Sequence, residues 1–138
     1  MSTSCGAPLL PPAMPLFESA ENIREPNVFI NEHVTYIALN NVEDAGELYE
    51  FAIDWLGEQK DQYNNFKAYR AELNAFLHWC WSVKKLSVAD VNRTLLIEYI
   101  EWCENPPIEL VGSYNATQFA MNKGLGVMVP NFKWRPFT

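Results

Sequence analysis

The stretch NNFKAYRAELNAFLHWCW, residues 64–81, decides the fold because it predicts one long helix with two different faces. Apolar and aromatic side chains recur at the helical period of a face that lies on a core, at Phe66, Tyr69, Leu73, Phe76, Leu77 and Cys80. The opposite positions include polar and basic side chains, at Lys67, Arg70, Asn74, His78, Ser82 and Lys85. The apolar face predicts burial. The polar face is open to two interpretations, a solvated surface or a binding surface.

The same stretch gives the bounds of two predicted helices. Asn64 or Asn65 is a good N-cap for the long helix, which we expect to end near Lys84. A preceding helix should begin at the N-cap Asn41 and end near residue 59, just after Gly57. Its predicted buried face is Ala45, Leu48, Ala52, Trp55 and Leu56.

A third helix is predicted after a short link. Ser87 and Asp90 form a near capping box, and the run Asn105-Pro106-Pro107 cannot continue a helix. Its predicted core face is Val91, Leu95, Tyr99 and Cys103. Because the links are short, we expect residues 41–105 to form a compact all-α domain. Within it, Trp55 and Tyr99 should be buried together with Tyr69, Leu73, Phe76 and Cys80.

The two flanking segments show no sustained helical period. Residues 1–40 contain five prolines, which predicts an irregular N-terminal arm. Within that arm, HVTYIALN (33–40) is compatible with either a short strand or extended chain. Residues 106–138 contain glycines and prolines among scattered apolar residues, and they predict an extended tail. We expect this tail to lie back over the helices through Phe119, Phe132 and Trp134.

Composition and charge narrow the class of protein. The chain has 138 residues, 49% of them hydrophobic, which suits one small globular domain and excludes general disorder. Its formal charge is −7, but the charge is unevenly distributed. Residues 1–59 hold ten acidic side chains and one basic, whereas residues 60–138 hold seven acidic and nine basic. Such asymmetry is compatible with one local polyanion-binding face. No apolar run would span a bilayer, the N-terminus is a poor signal peptide, and three cysteines favour free thiols in the cytoplasm.

The residues that usually carry chemistry are not arranged for it. The histidines and cysteines lack the spacing of metal ligands, and KGLGVMVP (123–130) lacks the spacing of a phosphate-binding loop. No nucleophile has a base beside it in a recognisable pattern. The sequence therefore predicts a chain with no catalytic residues, metal or cofactor.

Residues 42–104 resemble the N-terminal core-binding domain of the tyrosine recombinases, the phage-integrase family. The resemblance rests on an ordered pattern in the long helix, Tyr69, Arg70, Glu72, Leu73, Phe76 and Trp79, followed by Ser87, Asp90 and Tyr99. It implies a small orthogonal helical bundle of the SAM-like type. The family has a fourth helix and a catalytic domain beyond this region, so the chain is expected to be a fragment of such a recombinase.

The resemblance also implies a function for the polar face. In the family, the equivalent helix enters the DNA major groove, so the expected contacts are Asn64, Asn65, Lys67, Arg70, Asn74, Lys84 and Lys85. Lysine and arginine neutralise phosphates, while asparagine and arginine can read base edges. The implied partners are double-stranded DNA and the parent's catalytic domain, with the full-length parent oligomeric on DNA.

Two further expectations follow. The alternative function is an acidic helical adaptor whose aromatic surface docks another protein. Without a fourth helix, the three helices should also leave an apolar groove, which we expect the tail, the N-terminal arm or a second chain to fill. The residues expected to fill it from this chain are Phe119, Met121, Val127, Met128, Val129, Phe132 and Trp134 in the tail, and Val34, Tyr36 and Ile37 in the arm.

Overall fold

The computed structural model describes residues 13–112 and 117–137, and within these ranges the protein is mostly helical. Its helices are α1 (Val28–Asn40), α2 (Ala45–Glu58), α3 (Tyr63–His78) and α4 (Arg93–Glu104). Two short strands follow, β1 (Phe119–Asn122) and β2 (Val127–Pro130). The all-α prediction is therefore correct in its main content and wrong about this C-terminal hairpin.

Helix α1 corrects the prediction of an irregular arm over residues 1–40. Residues 1–12 lie outside the described part of the chain, but Val28–Asn40 is helical rather than extended. The side-chain oxygen of Asn27 accepts hydrogen bonds from the backbone N–H groups of Phe29 and Ile30, which satisfies two donors that a helix start leaves unpaired. The buried face of α1 is Ile30, Val34 and Ile37.

Asn41 ends a helix instead of starting one. Its backbone N–H donates to Ile37 O at 2.8 Å, and its side chain donates to Trp81 O at 3.0 Å. The next helix, α2, begins four residues later, after Asp44. That carboxylate makes no capping bond but accepts a hydrogen bond from Ser87 Oγ at 2.6 Å.

Three α-helices lie between residues 41 and 105, but two more of their starts differ from the prediction. Helix α3 follows Gln62, so Asn64 and Asn65 lie in its first turn and not at its cap. Ser87 caps a short 3₁₀ turn, Val88–Asp90, and the N-cap of α4 is Asn92, whose side chain accepts from Leu95 N at 2.9 Å. The near capping box at 87–90 does not start a long helix.

Helix α3 is extended by a π-helical turn, Trp79–Val83, and then closes tightly. Lys84 N donates to Trp79 O at 2.9 Å, and Leu86 N donates to Cys80 O at 2.7 Å. Between them, Lys85 has φ +54°, a left-handed conformation that glycine usually supplies at a helix end. The predicted end near Lys84 is correct once this turn is included.

The C-terminal segment folds back as an antiparallel hairpin in which Phe119 pairs with Pro130 and Asn122 with Val127. It packs on the start of α1, where the Asn27 side chain donates to Met128 O at 3.0 Å. Of the three predicted tail anchors, Phe119 and Trp134 are buried, but Phe132 is 84% exposed. One core unites the hairpin, the helices and the segment 14–23, through Leu16, Phe17 and Ile23.

Candidate interaction surface

The polar side chains that recur every fourth residue along α3 and its π-helical turn form one row, which lies against the interior: Arg70, Asn74, His78 and Ser82. Asn74 is 1% exposed, and its side chain accepts from Leu16 N at 2.9 Å and donates to Gln118 Oε1 at 2.8 Å. His78 and Ser82, further along the same row, are also buried. The segment around Leu16 has no regular secondary structure, so its backbone needs partners that the helix supplies.

Arg70 belongs to the same row and is half-buried. Its guanidinium donates twice to Phe17 O, from Nε at 2.9 Å and from Nη2 at 2.6 Å. Burial lowers the pKa of Arg70, an effect that the negative charge of Glu18 opposes. Arg70 and Asn74, two of the seven predicted DNA contacts, therefore hold the segment 14–23. Asn74 is buried and Arg70 is half-buried, so neither lies on a freely exposed polar face.

The other five predicted contacts are exposed but divided between the two ends of the helix. Asn64, Asn65 and Lys67 lie on the first turns of α3. Lys84 and Lys85 follow its last turn, roughly 25 Å away at 1.5 Å per residue. Lys84 is further engaged, because its Nζ lies 3.0 Å from Glu98 Oε2 and 5.8 Å from the centre of the Trp79 ring. These side chains do not form one continuous patch.

An apolar groove lies between α2 and α3 on the other side of α3. Its volume is about 220 Å³, and every lining residue is apolar: Leu48, Phe51, Ala52, Trp55, Leu73, Phe76, Leu77 and Val88. Phe51 is 72% exposed, and Trp55 and Tyr69, whose ring centres are 4.7 Å apart, are 37% and 38% exposed. The expected burial of Trp55 and Tyr69 is therefore wrong, whereas Cys80 and Tyr99 are buried as expected.

Neither the hairpin nor α1 lines this groove, although Val34, Ile37 and Phe119 pack into the core elsewhere. Met128 of the hairpin contacts the N-cap of α1, and Val129–Phe132 lies beside Ala13–Pro15 and Phe29. In the N-terminal part, Val34 and Ile37 are buried in the core as part of α1, whereas Tyr36 is exposed. The hairpin therefore covers a different part of the helical cluster.

The rim of the groove is acidic. Residues 43–61 carry seven carboxylates and one lysine. On α2 the carboxylates are Glu47, Glu50, Asp54 and Glu58, and all four are exposed. Glu47 lies one turn before Phe51 and Glu58 lies one turn after Trp55, so each is next to a lining residue on the surface of α2. Glu47 also lines a neighbouring polar pocket that includes Lys85.

Phe51 is the exposed aromatic residue of this surface that the sequence analysis did not assign. The signal was present, because Phe51 lies one turn from Leu48 and Trp55 and adds an aromatic side chain outside the face buried by Ala45, Tyr49 and Leu56. An apolar residue beyond the core face of an amphipathic helix indicates a wider apolar surface than the core needs.

Burial holds His78, Cys80 and Tyr99 in their neutral forms. Burial lowers the pKa of His78 to about 4, helped by the positive charge of His33, whose own pKa is also lowered by burial. Burial raises the pKa of the Cys80 thiol to about 12 and raises that of Tyr99 as well. At neutral pH these groups are therefore an uncharged imidazole, a thiol and a phenol. None is an activated nucleophile.

Residues 13–112 and 117–137 contain no group of three or more histidine, cysteine or acidic side chains placed to hold a metal ion. In the same ranges, no helix combines the length and the apolar character that crossing a membrane requires.

No family model, no curated protein and no solved structure matches the chain.

Proposed function

We propose that the protein is a protein-interaction module that receives a helix of a partner in the groove between α2 and α3. The observation that carries this proposal is the exposure of Phe51, Trp55 and Tyr69 around a cleft with an entirely apolar lining. Exposed apolar grooves rimmed by polar residues are typical of surfaces that bind another molecule.

The dimensions favour a protein partner over a small ligand. Pockets for small molecules usually enclose about 300–1,000 Å³, and this groove, at about 220 Å³, is smaller and open. Side chains from an amphipathic helix fit such a surface, since they enter at i, i+3, i+4 and i+7 spacing. Tryptophan and tyrosine are also the residues that most often dominate binding energy at interfaces.

The proposal can be tested by site-specific photocrosslinking in cells that express the protein. A photoreactive phenylalanine analogue replaces Phe51 in one variant and Leu39, which is 80% exposed on α1, in a matched control. We expect a discrete adduct from position 51 that is absent from position 39 and is lost when Trp55→Ser is added. Equal adducts from both positions, or none from position 51, would refute the groove as an interaction site.

A second candidate function is DNA binding by the first turns of α3, as the resemblance to the tyrosine recombinases implies. Asn64, Asn65 and Lys67 are exposed together there, close to the unpaired N–H groups of a helix start. In this candidate the chain is the non-catalytic part of a recombinase, and its parent acts as an oligomer on DNA. The loss of Arg70 and Asn74 as contacts makes it the weaker of the two.

The DNA candidate has its own test, the salt dependence of binding to a labelled duplex. Replacing one phosphate-contacting lysine reduces the slope of log K against log salt by about 1. We expect Lys67→Glu to lower the slope if this candidate is correct, while Lys123→Glu, an equal charge change in the hairpin turn, leaves it unchanged. Equal slopes for the two variants would remove the first turns of α3 as a DNA site.

Both candidates are proposed for the cytoplasm, and neither requires catalysis by this chain. Cys80 and Cys103 are free thiols, as in proteins of a reducing compartment.

A further inference from the structure

We infer that the partner helix is basic, with its positive charges beside its apolar face, an inference that rests on the proposed interaction function. The groove is lined by apolar side chains, so its lining gives the partner an apolar face but does not specify its charge. The side chains at the rim do specify the partner's charge, because α2 carries four exposed carboxylates and no basic residue.

The carboxylates lie on one side of the groove in a continuous row. Successive residues of an α-helix are 100° apart, so Glu47 and Glu58 lie next to Phe51 on the helix circumference. Asp54 lies slightly further round, where it pairs with Arg24 at 3.0 Å. Both members of that pair are more than half exposed, so Glu47 and Glu58 are the better partners for an incoming cation.

The opposite rim carries negative charge as well. Glu72 of α3 is exposed and lies one turn before Phe76, a lining residue. Lys67, the exposed lysine of α3, lies on the far side of that helix, about 180° from Phe76 at 100° per residue. A helix in the groove would therefore lie between acidic side chains, and lysine or arginine on both of its flanks would complement them.

The length of the groove limits how many turns of the partner helix can contact it. Leu48 and Trp55 at its two ends are seven residues apart, which is about 10 Å along α2, or two helical turns. Two turns of a partner present three or four apolar side chains. The minimal ligand is thus a short amphipathic helix with flanking basic residues.

Exposed ion pairs are weak and are screened by salt, so the rim should select among helices rather than drive binding. Reversing two rim charges should change the preference between a basic and an acidic helix about tenfold at low salt. At high salt this preference should shrink while the apolar contribution persists.

The test uses the whole chain and two synthetic peptides. Both carry the same leucines at i, i+3, i+4 and i+7, and they differ only in having lysine or glutamate at the flanking positions. Binding is followed by the anisotropy of a dye on each peptide at about 50 mM and about 500 mM salt. The rim variant is Glu47→Lys with Glu58→Lys. Its control is Glu21→Lys with Glu32→Lys, an equal change of charge at exposed positions away from the groove.

We expect the lysine peptide to bind about tenfold more tightly at low salt, the rim variant to remove or reverse that preference, and the control to retain it. Circular dichroism of each variant establishes that the helices remain. Equal binding of both peptides, or tighter binding of the glutamate peptide, would overturn the inference about charge. If Phe51→Ser still weakens binding in that case, the interaction function stands.

Two other outcomes separate the alternatives. Peptide binding that is insensitive to Phe51→Ser would refute the groove itself, and with it the proposed function. Sedimentation that shows a dimer, dissociated by Phe51→Ser, would identify a second copy of this chain as the occupant and would overturn the basic helix.

Discussion

Replacing Asn74 with alanine is the most direct test of the buried polar row of α3. The side chain is 1% exposed and holds the N–H of Leu16 through one hydrogen bond and Gln118 through another. Without Asn74, the buried Leu16 N–H has no acceptor, which costs about 1–3 kcal/mol. The lost bond to half-buried Gln118 adds about 1 kcal/mol. We therefore expect the free energy of unfolding to fall by about 2–4 kcal/mol.

The measurement is urea denaturation followed by circular dichroism at neutral pH. With a typical slope for a small domain of about 2 kcal/mol per molar urea, the midpoint should fall by about 1–2 M. Asn64→Ala is a matched control, since it is the same substitution on an exposed residue of the same helix. We expect it to change stability by no more than about 0.5 kcal/mol.

The two variants distinguish the structure from the prediction that this face is open to DNA. If Asn74 were a solvent-exposed contact, its truncation would be as mild as that of Asn64. Similar midpoints for Asn74→Ala and Asn64→Ala would refute the packing of the N-terminal segment on α3.

Three further predictions concern the same helix and its end. Burial lowers the pKa of His78 to about 4 in the folded protein. Between about pH 6.5 and pH 4, His78 is therefore protonated in the unfolded chain but neutral in the folded protein. The free energy of unfolding should then fall by about 2 kcal/mol between pH 7 and pH 5. This part of the pH dependence should disappear in His78→Gln, and an unchanged profile in that variant would exclude His78 as its cause. Lys85→Gly should stabilise the protein by about 1 kcal/mol in urea denaturation, because it relieves a left-handed residue, whereas Lys85→Ala should not. A gain from both would mean that charge, not backbone conformation, is responsible. Arg70→Glu should cost about 3 kcal/mol in thermal or urea unfolding, because it removes two donors from Phe17 O and places a negative charge beside that oxygen and near Glu18. Lys67→Glu, on the exposed face, should be nearly neutral. Equal effects of these two charge reversals would show that Arg70 is on the surface.

The helices of residues 41–105 could be predicted because their signal is local. The apolar period of α3, for example, is carried by its own sixteen residues and requires no knowledge of the rest of the chain. Helix starts were less predictable, because several asparagines compete for the role of N-cap. Asn41 has the right side chain, but Ile37 O captures its N–H and so closes the preceding helix.

Helix α1 was missed although its signal was present. Ile30, Val34 and Ile37 follow the helical period, and Asn27 directly precedes Val28 as a good N-cap. The prolines of residues 1–26 directed the prediction towards an irregular arm. Pro26, however, lies outside the helix, where proline is compatible with a helix start.

The orientation of the polar row could not be predicted from local pattern. Asn74 and Arg70 resemble solvent-facing residues in every window that contains only α3. Their burial depends on Leu16 and Phe17, which lie 58 and 53 residues earlier in the chain. A polar side chain is stable in the interior when it meets an extended backbone with unpaired groups, and sequence spacing does not reveal that meeting.

The same contact explains why no described segment of the chain covers the groove. The N-terminal segment and the hairpin are the two pieces of the chain best able to cover α3, and both pack on its polar side or on α1. They do so because extended segments carry backbone N–H and C=O groups that Asn27, Arg70 and Asn74 can satisfy, whereas the apolar lining offers such groups no partner. Covering the groove with either segment would leave those groups unpaired against Phe51, Trp55 and Phe76. A helix satisfies its own backbone hydrogen bonds, so it can enter an apolar groove at no such cost. The groove is therefore better matched to a helix than to either extended segment, which is the physical reason for proposing a helical partner.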